Sequence, residues 1–276
     1  MSRRILISND DGFDARGIQV LERALRPLGD IIVVAPDTEQ SASSHSLTVR
    51  RPIRVKQVDD THYRVSGTPT DCVVLALQVI LDRPPDLVVG GINHGPNLGE
   101  DVTYSGTVAV AFEGTILGAP SIAFSSLQRD VADEEAIGQV VRRVTEYALE
   151  HGFHKGCLLN VNIPDPRVGK IKGLRITRLG SRHYENFIEP GRGPLQDEYT
   201  IGGQAPVWKE EEGTDFAAVR SGFVSVTPLH LDLTDYRTVV DMETWKVELC
   251  GGGSTRLRAS AWCASTCMRA AFATRV

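Results

Sequence analysis

The chain has 276 residues, of which 24% are charged and 41% hydrophobic, and its formal net charge is −5. This length is enough for a full hydrophobic core in one large domain or two small ones. The negative charge excludes a general footprint for nucleic acid, and no apolar run is long enough to cross a membrane. The N-terminus does not resemble a signal peptide, and the five cysteines are scattered and odd in number. We therefore expect a cytoplasmic protein with reduced thiols.

The first half of the chain alternates between strand-like and helix-like segments. The patterns predict strands at 5–8, 31–35, 87–89, 121–125 and 158–163, and helices at 18–28, 72–81, 107–117 and 134–149. Such alternation indicates an α/β fold, in which a mostly parallel sheet carries helices on both faces. The loops that leave the carboxyl ends of different strands then meet at one edge of the sheet, where ligands bind.

The second half of the chain has a different pattern. Residues 166–232 show strand-like alternation, many glycines and little helix, which predicts a β-rich extension after a core of residues 1–165. Within it, residues 182–217 form a long excursion of the kind that clasps a partner subunit. A last helix is predicted over 235–249, so the extension ends near residue 250. We expect the tail, residues 251–276, to be disordered or weakly packed, because it follows a run of glycines.

The most informative segment is Asn9-Asp10-Asp11-Gly12, directly after the first predicted strand. Adjacent carboxylates repel each other unless a positive charge lies between them, and a hard divalent cation prefers oxygen ligands. The segment therefore indicates a metal site. The alternative is an ordinary turn, because asparagine, aspartate and glycine are all good turn formers.

Three further loops carry polar residues at the same edge. Residues 37–48, after the second strand, are rich in serine, whose hydroxyl can ligate a hard cation; the alternative is a flexible linker. Asn93 and Asn97, after the third strand, offer amide groups to a metal or to phosphate, and His94 is a candidate proton donor. Ser105 and its neighbours begin a helix and predict either an anion site or a simple cap. Together these loops indicate metal-assisted hydrolysis of a phosphate ester.

Several segments, taken in order, resemble the SurE (survival protein E) family of nucleotidases. They are Asn9–Gly12, Val34–Asp37 with Gln40 and Ser41, Gly67–Cys72, Gly91–Asn93 with Gly95–Gly99, Tyr104–Ala109, Gly213–Val219 and Ser225–Leu229. The resemblance covers residues 4–249 and implies a Rossmann-like, three-layer core with a β-rich C-terminal extension. It also implies an enzyme, a metal-dependent phosphatase of nucleoside 5′- and 3′-monophosphates. Some members of the family act on short polyphosphate as well.

The resemblance assigns roles to individual residues and implies a homodimer or homotetramer that exchanges the β extension. One divalent ion per subunit, Mg²⁺ or Mn²⁺, would be held by Asp10, Asp11, Ser41 and Asn93. The phosphate would be bound by Asn9, Asn97, Ser105, Gly106 and Thr107. Asp10, Asn97 and Ser105 would be catalytic, with water and not an aspartate as the nucleophile.

One departure from the family pattern lies beside the proposed metal ligands. The family commonly has glycine after the metal-binding serine, whereas this chain has Ala42. If that position needs a positive φ, alanine costs about 1 kcal/mol. Two rival functions are an aspartyl-phosphate phosphatase, which needs Asp-x-Asp and not adjacent acids, and a nucleotide-binding module without catalysis.

Overall fold

The structure, a computed structural model, describes residues 2–152, 154–183, 188–190, 197–201, 207–209, 211–248 and 254–256. The chain divides into two compact units, Met1–Leu231 and Asp232–Val276. The division falls after Leu231, and the boundary that the sequence patterns predict near residue 165 lies within the first unit. Within the described residues, no helix is both long and apolar enough to cross a membrane.

The elements alternate along the first unit as the sequence predicts. The strands are β1 (Arg4–Ser8), β2 (Asp30–Pro36), β3 (Val55–Gln57), β4 (His62–Val65), β5 (Leu87–His94), β6 (Ser121–Ser126), β7 (Cys157–Ile163), β8 (Leu174–Ile176), β9 (Arg182–His183), β10 (Ile188–Pro190), β11 (Tyr199–Ile201), β12 (Val207–Trp208), β13 (Val224–His230), β14 (Lys246–Glu248) and β15 (Ser254–Arg256). The α-helices are α1 (Arg16–Leu25), α2 (Pro69–Leu75), α3 (Gly106–Ile116), α4 (Glu134–His151), α5 (Asp215–Arg220) and α6 (Tyr236–Met242).

Nine strands form one sheet in the order β3-β4-β2-β1-β5-β6-β7-β13-β8. The six strands from β4 to β7 run parallel, β3 pairs antiparallel with β4, and β13 pairs antiparallel with β7. This mostly parallel sheet confirms the predicted α/β fold. After β1, the chain places β2 on one side of β1, and it places β5, β6 and β7 successively on the other side. The loops that leave β1 and β5 therefore flank the switch point, where open α/β sheets bind ligands.

Helices cover both faces of the sheet. Successive side chains of a strand point to opposite faces, so Ile5 and Ile7 share one face of β1 and Leu6 lies on the other. Ile5 and Ile7 pack in a buried cluster with Leu21 of α1 and with residues of α4, whereas Leu6 packs with residues of α2 and α3. The layers are therefore α1 and α4, the sheet, and α2 and α3.

The β-rich extension joins the main sheet directly. β13 pairs antiparallel with β7 over six residue pairs, and β8 pairs parallel with β13. The predicted excursion over 182–217 contains two antiparallel pairs, β9 with β12 and β10 with β11. Residues 184–187, 191–196, 202–206 and 210 of this excursion lie outside the described residues.

Three local expectations differ from the structure. The helix predicted over 72–81 begins at Pro69, because Thr68 is its cap: the Thr68 side chain accepts from the Asp71 N–H, and the Asp71 carboxylate accepts from the Thr68 N–H. The short helix α5 was missed and is capped by Thr214, whose side chain accepts from Ala217 N–H.

The helix predicted over 235–249 is shorter, since α6 ends at Met242 and residues 246–248 form β14. β14 pairs antiparallel with β15, and this pairing replaces the last helical turns. β15 is the part of the tail that the structure describes, and the expectation for the tail as a whole stays a prediction. Residues 249–253 and 257–276 lie outside the described residues.

Candidate active site

The loops at the switch point bring the predicted site residues together. Asp10 and Asp11 follow β1, Ser41 follows β2, Asn93 lies near the end of β5, and Ser105 caps α3. They line one cleft of about 490 Å³, whose walls are Asp10, Asp11, Glu39, Ser41, Ala42, Asn93, His94, Asn97, Asp101, Tyr104, Ser105 and Arg129. Residues more than 90 positions apart in the sequence thus share one site.

Asp10 is held by the N-terminus of α3. Its carboxylate is almost fully buried, and the Thr107 hydroxyl donates to its Oδ1 atom. Burial raises the pKa of Asp10, while hydrogen bonds from Thr107 and from the backbone of Gly106 and Thr107 act in the opposite direction. The helix end that the sequence analysis assigned to phosphate is therefore directed at Asp10, where its N–H groups and its dipole favour the ionised carboxylate.

Asp11 lies beside Asp10 and is held by His94. The backbone N–H of His94 donates to Asp11 Oδ2 at 3.3 Å, and its ring Nδ1 lies 3.5 Å from Oδ1. Burial first, and then the negative charge of Asp10, raise the pKa of Asp11 to about 7. The cleft thus concentrates two carboxylates whose mutual repulsion a bound cation would relieve.

His94 is placed to support Asp11. Its Nε2 atom is buried and has no hydrogen-bond partner within the described part of the chain, and it lies beside Gly17 of α1. Burial lowers the pKa of His94, which favours the neutral ring. The ring therefore presents Nδ1 to Asp11 and keeps Nε2 against α1, so its geometry suits the support of a ligand better than proton transfer to substrate.

Asn93 and Ser41 complete an oxygen-rich set. The Asn93 amide donates to the carbonyl of Gly95 at 2.8 Å, and its Oδ1 lies 3.4 Å from the Thr107 hydroxyl that also bonds Asp10. The Ser41 hydroxyl donates to Glu39 at 2.6 Å, so its oxygen lone pairs stay available as acceptors. The next residue, Ala42, has a φ of 57°. Glycine adopts this conformation without strain, whereas alanine does not.

The residues present fit a hard divalent cation. Aspartate, serine and asparagine supply oxygen ligands, which hard cations prefer. Among the described residues no group of three or more His, Cys, Asp or Glu is placed to hold a metal ion, so a cation here would depend on the serine and asparagine oxygens as well as on the two aspartates. The Ser43 hydroxyl is buried without a hydrogen-bond partner among the described residues. A Cβ added at Gly106 would lie 3.0 Å from that Ser43 oxygen and 2.9 Å from Asp10 Oδ2. Glycine therefore keeps open a space between two polar groups.

The predicted phosphate residues divide into two groups. Asn97 and Ser105 line the cleft, and the Ser105 oxygen caps α3 by accepting from Val108 N–H at 3.0 Å, which leaves its own proton for a ligand. Asn9, Gly106 and Thr107 are not among the residues that line the cleft. The Asn9 side chain is used within its own loop, because its amide donates to the Gly12 carbonyl at 2.9 Å and stabilises the turn.

Three further residues line the cleft that the motifs did not single out: Glu39, Asp101 and Arg129. Burial first, and then the charges of Glu100 and Asp215, raise the pKa of Asp101 to about 7, and Asp101 also pairs with Arg182 of β9. Arg129 is the one arginine or lysine among the lining residues. It follows β6, the neighbour of β5, and its position after a predicted strand is the sequence signal that could have identified it.

Comparison with known proteins decides the family. The family model described as "Survival protein SurE" matches residues 5–186. The chain belongs to the SurE family. It is 48% identical over 240 residues to the 5′-nucleotidase SurE of Aquifex aeolicus (strain VF5), covering 85% of this chain and 94% of that protein. It is 47% identical over 246 residues to the 5′-nucleotidase SurE of Gemmatimonas aurantiaca, covering 87% and 97%.

A solved structure agrees with the SurE assignment. The crystal structure of the SurE protein from Aquifex aeolicus matches with a TM-score of 0.76 and 45% identity, covering 87% of this chain and 98% of that one. The resemblance drawn from the sequence motifs is thereby confirmed, and so is the α/β fold class. The matches cover 94% of the Aquifex aeolicus protein and 98% of its crystallised chain. The family model matches residues 5–186, which include every residue that lines the cleft.

Proposed function

We propose that this SurE chain is a hydrolase, a 5′-nucleotidase that converts nucleoside 5′- and 3′-monophosphates to nucleoside and phosphate. It uses one divalent cation per subunit, Mg²⁺ or Mn²⁺. The observation that carries the proposal is the convergence of Asp10, Asp11, Ser41 and Asn93 on one cleft. The relatives named 5′-nucleotidase SurE support the choice of substrate. Short polyphosphate is a second substrate class for the same site.

Each polar group has a stated task in this proposal. Asp10, Asp11, Ser41 and Asn93 would hold the cation, which would supply positive charge to neutralise the phosphate and to make water more acidic. The Thr107 hydroxyl and the first N–H groups of α3 fix the direction of the Asp10 carboxylate and oppose the burial that raises its pKa. The arrangement is preorganised, so little reorganisation is needed when the substrate binds.

The phosphate group would be bound on the other side of the cleft. Asn97 offers an amide, Ser105 a hydroxyl proton, and Arg129 a guanidinium whose charge complements a phosphate dianion. Asp10 is 4% exposed and is held by hydrogen bonds, which suits a ligand better than a nucleophile that must reach phosphorus. Water is therefore the proposed nucleophile.

Release of phosphate from AMP and GMP tests this proposal. Wild-type protein should release phosphate with Mg²⁺ or Mn²⁺, lose the activity in EDTA and recover it when the ion is restored. Asp10→Asn should lower turnover by orders of magnitude. Asp82→Asn is the matched control, because Asp82 is exposed and pairs with Arg4 at the opposite edge of the sheet.

Two outcomes would overturn the proposal. Turnover that is unchanged by chelation would remove the cation from the reaction. Nucleotide binding in calorimetry without turnover, whichever divalent ion is added, would favour a binding module instead of an enzyme.

We also propose that the chain acts in the cytoplasm as a homodimer or homotetramer, with no nucleic acid partner. Support comes from the extension, where Ile188 of β10 and Tyr199 and Ile201 of β11 are each at least 60% exposed. An exposed apolar hairpin is typical of a surface that a second subunit covers. A monomeric mass in light scattering at micromolar concentration would contradict the oligomer.

A further inference from the structure

Two asparagines of β7 have no part in the site as described so far. Asn160 and Asn162 are both fully buried, and because they are two positions apart in a strand they point to the same face of the sheet. Asparagine is depleted in strands, and a buried amide costs stability unless its atoms are hydrogen-bonded. A pair of asparagines in a buried strand therefore calls for a specific account.

Both side chains bond the backbone of Asn97. The Asn162 Oδ1 atom accepts from the Asn97 N–H at 2.8 Å, and its Nδ2 donates to the Asn97 carbonyl at 2.9 Å. Asn160 Nδ2 donates to the same carbonyl at 2.8 Å. The Asn162 amide thus occupies both the N–H and the C=O of one residue, as a paired residue in a neighbouring antiparallel strand would.

The bonds fix the orientation of the Asn162 amide. If its oxygen and nitrogen were exchanged, an NH₂ group would face the Asn97 N–H and an oxygen would face the Asn97 carbonyl. An aspartate at this position would likewise lose the donor. Only an amide satisfies both backbone groups at once.

The Asn97 side chain is held as well, because its Nδ2 donates to Ser125 Oγ of β6 at 2.8 Å. The loop that carries Asn97 begins at Gly95, which has a φ of 136° and therefore a conformation that favours glycine. Asn160 also keeps its Oδ1 without a partner among the described residues. An apolar residue at position 160 would avoid the cost of burying an unpaired oxygen. An asparagine there is therefore better explained by its bond to Asn97 than by packing.

We propose that Asn160 and Asn162 are positioning residues that hold Asn97 where it binds the phosphate of the substrate. This inference rests on the proposed nucleotidase function. The two side chains fix the Asn97 peptide, Ser125 fixes its amide, and the residue is thereby presented to the cleft before substrate arrives. A displacement of about 1 Å at such a group can cost about a hundredfold in rate.

A double-mutant cycle with Asn97→Ala tests the inference, because residues that act through one another are not additive. With AMP as substrate, Asn162→Ala should lower kcat/KM by about ten- to a hundredfold in the wild-type background. In the Asn97→Ala background the same change should have less than about a threefold effect. Asn160→Ala should cost less than Asn162→Ala, because Asn162 alone bonds both the N–H and the carbonyl of Asn97, whereas Asn160 bonds only the carbonyl.

Thr227→Val is the matched control. Thr227 is buried on β13 opposite Asn160, and its hydroxyl bonds Thr177 at 2.7 Å, not the loop. It should lower the thermal midpoint and leave kcat/KM within about twofold of wild type.

Hydrogen exchange of the Asn97 amide provides a readout that is independent of turnover. Exchange should accelerate in Asn162→Ala and stay unchanged in Thr227→Val. Equal losses of kcat/KM in both Asn97 backgrounds, or an unchanged Asn97 exchange rate in Asn162→Ala, would overturn the inference. Absence of turnover in the folded wild-type protein would instead overturn the proposed function.

Discussion

Substitution of Gly106 should lower activity strongly while the protein stays folded. Gly106 is the first residue of α3, and a Cβ built there lies 2.7 Å from the Asp10 Cβ and 2.9 Å from Asp10 Oδ2. Favourable contacts between carbon atoms begin near about 3.5 Å, so Gly106→Ala must displace the Asp10 side chain by about 1 Å.

The expected effect is large on activity and small on stability. A displacement of about 1 Å at a group that positions the reactants lowers the rate by about a hundredfold. Alanine is a better helix residue than glycine by about 1 kcal/mol, which offsets part of the steric cost. We therefore expect kcat/KM for AMP to fall by about two orders of magnitude in a variant that stays folded, measured by phosphate release and by circular dichroism.

Gly138→Ala is the matched control in α4. Its Cβ would meet only the Ala24 Cβ, at an ordinary contact distance of 3.6 Å. This variant should gain about 0.5 to 1 kcal/mol in the free energy of unfolding and keep wild-type turnover. If Gly106→Ala keeps turnover within about threefold of wild type, the role assigned to Asp10 and α3 is refuted.

Two further predictions concern stability. Ala42→Gly should raise the free energy of unfolding by about 0.5 to 1 kcal/mol, because Ala42 has a φ of 57°, and an unchanged midpoint in urea would contradict this. Asp215→Ala should cost about 3 to 5 kcal/mol, because the buried carboxylate accepts from the N–H groups of Gly99, Gly180 and Phe216, each at 2.8 Å. A loss below about 1 kcal/mol in the same urea titration would show that these N–H groups find other partners.

The sequence predicted the fold because its signals were local. Short apolar runs that end near Asp10, Pro36 and Asn93 predict buried strands and the loops after them. Apolar residues at helical spacing predict the helices between these strands. Where tertiary pairing overrides a local pattern, prediction failed: residues 246–248 pair with 254–256 instead of extending α6. The short helix α5 gave too few periodic positions to stand out from the strand patterns around it.

The sequence predicts the candidate site where its residues directly follow strands. It predicts less where a residue's hydrogen-bond partner lies far away along the chain. Asp10, Asp11 and Asn93 could be placed at one edge of the sheet by topology alone. The contact of α3 with the first loop could not be predicted, because nothing near Thr107 in the sequence indicates that its hydroxyl bonds Asp10. Likewise, nothing near Asn97 in sequence indicates that asparagines 63 and 65 positions away bond its backbone.

Direct counting of bound Mn²⁺ by electron paramagnetic resonance tests the central claim, which is that Asp10, Asp11, Ser41 and Asn93 form one cation site. The account predicts one tightly bound Mn²⁺ per chain in the wild-type protein and in Asp82→Asn, and loss of that ion in Asp10→Asn. A folded Asp10→Asn protein that binds Mn²⁺ as tightly as wild type would contradict it.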